Sequence, residues 1–204
     1  SVGRTVPDAV AAYIRDHGLY LDPMLTELQC SLSKERYRHT LGVEQTAVKL
    51  AELYGEDPEK ARVAALLHDC ARCLDSAEMR RLVGERMGGT ALRALMHAPA
   101  GAALAKERYG IEDEHVLGAI RWHTTGHEGM TRLEKIVYLA DFIEPNRPNH
   151  PGLQELRAEA YKDLDRAVRM AAESTMRYVR ARGLEPDENT MKMLGSEKSS
   201  EGIV

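Results

Sequence analysis

Four side chains of this sequence have the types and the order of a metal centre: His39, the adjacent pair His68 and Asp69, and Asp141. The pair ends an apolar run, Val63 to Leu67. An imidazole beside a carboxylate is a costly way to end a buried helix unless a charge partner is present, and a divalent cation is among the strongest partners. His39 lies one helix upstream and Asp141 far downstream. Imidazole with carboxylate suits iron, manganese or zinc better than calcium. A metal held this way lowers the pKa of a bound water and polarises a phosphoryl oxygen. His97 and His123 are further candidates, for a second metal or for a phosphate. One histidine on an apolar face is usually a satisfied core residue; only the combination points to a metal. His17, His115, His127 and His150 fit no apolar stripe and read as surface residues.

The elements that must position these groups all read as helices. His39 continues the stripe of Val43, Ala47 and Leu50, so it points inward near the start of a helix that Ser33 caps and Gly55 closes after Tyr54. Asp57 and Pro58 open the next helix, which ends near His68 and Asp69. His68 follows Ala61 and Ala64 or Ala65, His123 follows Val116 and Ala119 or Ile120, and Asp141 lies one turn after Val137. Each polar group thus extends an apolar stripe towards a helix end, where a pocket can open.

The remaining helices are read as Pro7–His17 closed by Gly18, Asp75–Met87 stopped by Gly88 and Gly89, Pro99–Tyr109, Glu112–His123 and Thr131–Glu144. A loop rich in Pro, Asn and His then leads to a last long helix, Glu159–Arg182, ended by Gly183. Residues beyond Asn189 are polar and read as a frayed tail. No segment alternates as a core strand does. The expectation is an all-α helical bundle with a metal site in its core, residues 1–189 forming one domain and 190–204 a tail.

Composition narrows the classes. A chain of 204 residues with 43% hydrophobic side chains can bury one substantial core. Aromatics are 5%, which favours helix over sheet. A net charge of −4 gives no global basic surface for nucleic acid. No apolar run has the length of a membrane span and no opening stretch has the pattern of a secretion signal. Cys30, Cys70 and Cys73 make no disulfide framework, and the CxxC pair lacks the second pair a zinc site would want. The reading is a cytoplasmic protein without nucleic-acid or membrane partners, with a homodimer left open.

The order His, His-Asp, Asp resembles the HD-domain metal-dependent phosphohydrolases. A narrower resemblance, to the YqeK-type family, rests on six segments: RYRHTLGV at Arg36–Val43, LHDCAR at Leu67–Arg72, HAPAGA at His97–Ala102, HTTG at His123–Gly126, YLADFIEPNR at Tyr138–Arg147 and PGLQELR at Pro151–Arg157. The HTTG and ADFIEPNR pieces discriminate best. The resemblance implies symmetrical hydrolysis of diadenosine tetraphosphate to two ADP. It implies that His39, His68, Asp69 and Asp141 hold a divalent metal, iron first, with manganese or zinc as alternatives. It implies that Arg36, Arg72, His97, His123, Thr124 and Arg147 surround the phosphates. Leu184, Glu185, Pro186, Asp187, Glu188 and Asn189 are where it places the nucleoside. Two departures stand out: Arg72 where Lys is common, and an extra residue with added acids before Thr190.

The chemistry so read has Asp69 with the metal, water attacking an inner phosphorus, and His97 or His123 protonating the leaving oxygen. Arg36, Arg72 and Arg147 would grip phosphate oxygens. Lys135 and Glu144 can line the same pocket, or be an exposed helix residue and a helix-end carboxylate. The alternatives are an HD phosphatase of mononucleotides or deoxynucleotides, and a nucleotide-sensing module without turnover.

Overall fold

A computed structural model describes residues 23–84 and 93–196, and every regular element among them is a helix. In chain order these are α1 (Pro23–Ser31), α2 (Lys34–Tyr54), α3 (Pro58–Leu67), α4 (Ser76–Val83), α5 (Arg93–Tyr109), α6 (Glu114–Trp122), α7 (Arg132–Ile143), α8 (Leu153–Ala160), α9 (Leu164–Ala181) and α10 (Glu188–Ser196).

α3 is the core helix, packed against α2, α6 and α7. Its inward face is mostly alanine, with Ala61, Ala64 and Ala65 fully buried, so neighbouring helices approach closely. Leu50, Leu67, Ile120, Ile136 and Leu139 fill the space between them. α5 lies on α6, α4 on α5, and the α8–α9 pair on α7. No helix of the described residues is long and apolar enough to cross a membrane.

Capping chemistry sets the helix starts that the sequence reading identified. The Ser33 hydroxyl accepts from the Arg36 N–H, and the Asp57 carboxylate accepts from the Glu59 and Lys60 N–H groups. Thr131 and Glu134 form a reciprocal capping box at the start of α7. Gly55 closes α2 in the left-handed region (φ 67°).

Elsewhere the structure departs from that reading. The helix expected at Glu159–Arg182 is two helices. Asp163 leaves helical geometry (φ −145°, ψ 106°) and its carboxylate caps α9 by accepting from the Arg166 N–H. The Tyr54 hydroxyl donates to the Ala160 carbonyl at 2.9 Å and pins the break against the end of α2. α5 starts at Arg93 rather than at Pro99, which sits inside it. Burial of His97, Ala98 and Ala100 outweighs the roughly 3 kcal/mol an interior proline costs.

α4 ends at Val83, and Gly84 follows it with positive φ. Residues 85–92, which include Met87 and the Gly88–Gly89 stop, lie outside the described residues, as does the expected helix Pro7–His17. α1 has no counterpart in the sequence reading and is held by the fully buried Leu28. Helix α10 crosses the point where a frayed tail was expected. Thr190 is 3% exposed and its hydroxyl donates to the Thr125 carbonyl at 2.7 Å, a contact no local pattern announces.

Candidate metal centre

The helix ends that carry polar residues meet at one place in the core. His68 is the C-cap of α3 and His123 the C-cap of α6. His39 lies near the start of α2, Asp141 in the last turn of α7, and His97 in α5 just before Pro99. His39, His68, Asp69, His97 and His123 are all buried.

Hydrogen bonds fix the orientation of the rings. His68 Nδ1 lies 2.6 Å from the Ala65 carbonyl, His123 Nδ1 2.7 Å from the Ile120 carbonyl, and His39 Nδ1 3.1 Å from Glu144 Oε1. Those oxygens only accept, so each Nδ1 is assigned the proton and each Nε2 presents a lone pair. The three Nε2 atoms face carboxylate oxygens. His39 Nε2 is 3.0 Å from Asp141 Oδ1, and His68 Nε2 is 3.5 Å from Asp69 Oδ2 and 3.9 Å from Asp141 Oδ1. His123 Nε2 is 3.7 Å from Asp69 Oδ1.

Lone pairs facing each other at such distances repel unless a cation lies between them. His39 Nε2, His68 Nε2 and Asp69 Oδ1 are buried and lack a hydrogen-bond partner among the described residues. A first-row divalent ion held by this cluster would supply the partner such atoms lack. Three overlapping groups have ligand atoms within 4.8 Å of one another: His39, His68 and Asp69; His68, His123 and Asp141; Asp69, His97 and His123. The residues present therefore fit a metal, and the third group is where a second ion would sit.

Burial alone would raise both carboxyl groups, but their surroundings reverse it. The imidazoles of His68, His123 and His97 hold Asp69 well below the usual carboxylate range. His39, the Arg147 guanidinium and then His68 and His123 do the same for Asp141. Both carboxylates stay charged and ready to ligate. Burial pushes His97 down to about 4, an effect that contact with Asp69 only partly offsets.

Around this cluster stand the expected basic residues. Arg36 Nη1 meets Asp69 Oδ2 at 2.7 Å, Arg147 Nη2 meets Asp141 Oδ1 at 2.7 Å, and Arg72 Nη1 lies 2.8 Å from His97 Nδ1. Thr124 Oγ1 is 3.1 Å from Nε2 of both His97 and His123. Of the terminal segment, Leu184, Glu185 and Glu188 are exposed and Pro186 is buried. Asp187 accepts from the Asn189 N–H at 2.9 Å, and Glu188 pairs with Lys192 at 2.7 Å. The two acids that set this segment apart are thus engaged in starting α10. The Thr190–Thr125 bond lays the segment beside the loop that follows His123.

Two residues resolve differently from their neighbours in the reading. Lys135 pairs with Asp165 at 2.6 Å and lines a separate cavity with Met130 and Met193. His127 is half-buried rather than a plain surface residue, its ring centred 4.7 Å from that of Trp122 and its Nε2 3.2 Å from Glu134 Oε2.

Glu144 is 1% exposed, and besides His39 it accepts from the Asn146 N–H through Oε2 at 2.6 Å. Such a carboxylate fixes the tautomer of a ligating histidine and raises its basicity. Gly42 makes this possible, because a Cβ there would lie 2.3 Å from Glu144 Oε2 and 2.8 Å from Asn146 Nδ2. The sequence reading passed over Gly42 and Asn146. The available signal was an isolated glycine inside a helix, three residues after a candidate ligand.

The HD domain family model matches residues 36–146, and the chain belongs to that family. The narrower resemblance also finds support among known relatives. The chain is 46% identical, over 72% of its own length and 81% of the other's, to a Halalkalibacterium halodurans protein named symmetrical bis(5'-nucleosyl)-tetraphosphatase. A Bacillus subtilis protein of the same name is 44% identical with the same coverage. A crystal structure of an HD superfamily hydrolase from Clostridium acetobutylicum, described as involved in NAD metabolism, superposes with a TM-score of 0.78 at 39% identity, covering 89% of this chain and 98% of that one.

Proposed function

We propose that this chain hydrolyses diadenosine tetraphosphate symmetrically to two ADP at the His39–His68–Asp69–Asp141 centre. The observation that carries the reading is the convergence of buried ligand atoms lacking hydrogen-bond partners with three arginines, in a chain similar to proteins named for that activity. When bound, a divalent metal would supply a water of lowered pKa and a Lewis acid for a phosphoryl oxygen. Iron, manganese and zinc all suit the donor set, and iron is the ion we propose.

The chain's own groups do the rest. Arg36 and Arg147, anchored on Asp69 and Asp141, offer their remaining N–H groups to phosphate oxygens and so hold the central phosphates in place. Arg72 and Thr124 do the same from the His97 side. Charge that develops on the phosphoryl oxygens meets these fixed donors. With burial holding it uncharged at neutral pH, His97 is suited to hydrogen bonding as a neutral ring rather than to donating as an imidazolium. His123, whose Nδ1–H is held by the Ile120 carbonyl, would serve as proton donor to the leaving oxygen only after taking up a proton at Nε2. The nucleoside of one half lies along Leu184–Asn189, beside Thr125. Three free thiols suit the cytoplasm.

Product analysis tests the reading. Metal-loaded protein is incubated with diadenosine tetraphosphate, and separately with deoxynucleoside triphosphates, nucleoside monophosphates and NAD. Two ADP as sole products support it. AMP with ATP, or turnover confined to the other substrates, overturns it. Asp69→Ala should lose both bound metal and turnover. Retained nucleotide binding in a wild-type protein without turnover would favour the sensor alternative.

A further inference from the structure

A cleft of about 310 Å³ opens from His39 between the start of α2 and the loop after α7, and its outer part has no task in the reading above. Arg36, Arg38, Asn146, Arg147 and Pro148 line it. Resting on the proposed function, we propose that this cleft is the subsite of the second nucleoside diphosphate half, with Arg38 and Pro148 holding its nucleoside.

A substrate cut at its centre has two equal arms, and both need room on opposite sides of the reacting phosphate. Asp69 marks those sides. Its Oδ1 faces His97 at 3.2 Å and His123 at 3.7 Å, towards the Thr124 loop and the terminal segment. Its Oδ2 faces Arg36 at 2.7 Å, towards the cleft. One arm is accommodated on the Oδ1 side; the other leaves past Arg36 and Arg147.

Arg38 stands beyond those two. It is exposed, its Nε donates to Asn146 Oδ1 at 2.9 Å, and Asn146 Nδ2 donates back to the Arg38 carbonyl at 3.4 Å. Its Nη groups have no partner among the described residues. A guanidinium held through Nε presents a planar face to a base and free N–H groups to a ribose. The Pro148 ring adds an apolar surface. Of the two carboxylates on the cleft, Glu144 is turned onto His39 and Glu35 is exposed, so arginine sets the charge of the wall.

The test compares Arg38→Ala with wild type on diadenosine tetraphosphate and on adenosine tetraphosphate, which has four phosphates but one nucleoside. The variant should raise KM for the dinucleotide about tenfold with kcat within about twofold, the mark of lost uniform binding. KM for adenosine tetraphosphate should stay within about twofold. Equal effects on both substrates would show that Arg38 reads phosphate, and no effect on either would place the second nucleoside elsewhere; both outcomes overturn the proposal. Circular dichroism controls for folding. Wild type failing to yield two ADP would instead overturn the function itself, and that shows before any variant is compared.

Discussion

Gly42→Ala adds one methyl group that touches no ligand and no substrate. The new Cβ would lie 2.3 Å from Glu144 Oε2, whereas ordinary contacts begin at 3.4 Å, so the carboxylate must retreat by about 1.1 Å. That movement breaks its contact with His39 Nδ1 (3.1 Å) and with the Asn146 N–H (2.6 Å) together. Hydrogen bonds to a charged group are worth roughly 1.5–3 kcal/mol each, and alanine returns about 1 kcal/mol of helix propensity. After relaxation a net loss of about 2 kcal/mol is expected, or roughly 4–8 °C in Tm of the metal-free protein. Metal affinity should fall about 10–100-fold, because His39 loses the partner that orients it.

The assay is Mn²⁺ titration by calorimetry beside thermal melts. Gly118→Ala is the control: its Cβ would meet Glu134 Oε1 at 2.7 Å and disturb the α7 capping box, costing stability without touching His39. Gly42→Ala should add nothing to the affinity loss of Glu144→Gln if it acts through that carboxylate. A Gly42→Ala protein that melts like the Gly118→Ala protein yet binds Mn²⁺ like wild type would refute the reasoning.

Two further outcomes concern the surroundings of the site. Burial pushes His97 down to about 4 from the usual imidazole value of 6.5, so between those values the unfolded chain takes up a proton that the folded chain does not. Its contribution is complete above that window and is lost as pH falls through it, on the order of 3 kcal/mol. Metal-free His97→Gln should therefore lose less Tm than wild type between about pH 7 and about pH 4.5, and parallel losses would contradict the burial argument. Cys70 is buried, donates to the Gly101 carbonyl, and its thiol is pushed up to about 12 by burial. Maleimide at neutral pH should label the exposed Cys30 and Cys73 and leave Cys70 unmodified until the chain unfolds. Three labels on native protein, counted by mass spectrometry, would count against this packing.

The sequence made the candidate ligands legible because His39, His68 and Asp141 each extend an apolar stripe, a pattern carried within one helix. Arg72, Thr124 and Arg147 were legible only through resemblance, since a polar residue near a helix end has many ordinary uses. The contact between Gly42 and Glu144 joins residues about a hundred positions apart and leaves no local trace. The α8–α9 break was hidden because every residue around Tyr161 tolerates a helix; only the Asp163 cap marks it. α10 left little trace because its residues are mostly polar, while Thr190 and Met193 tie it to the core through contacts distant in sequence.

That anchorage divides the work along the chain. The four metal-ligand candidates all fall within the span of residues 36–146 that defines the family. The loop bearing Thr124 is braced from outside that span, by Thr190. On the function proposed above, the metal centre and the proposed nucleoside contact are therefore carried by separate stretches of the chain. A substitution at Thr190 would thus reach the Thr124 loop through the Thr190–Thr125 bond while leaving the four candidate ligands in place.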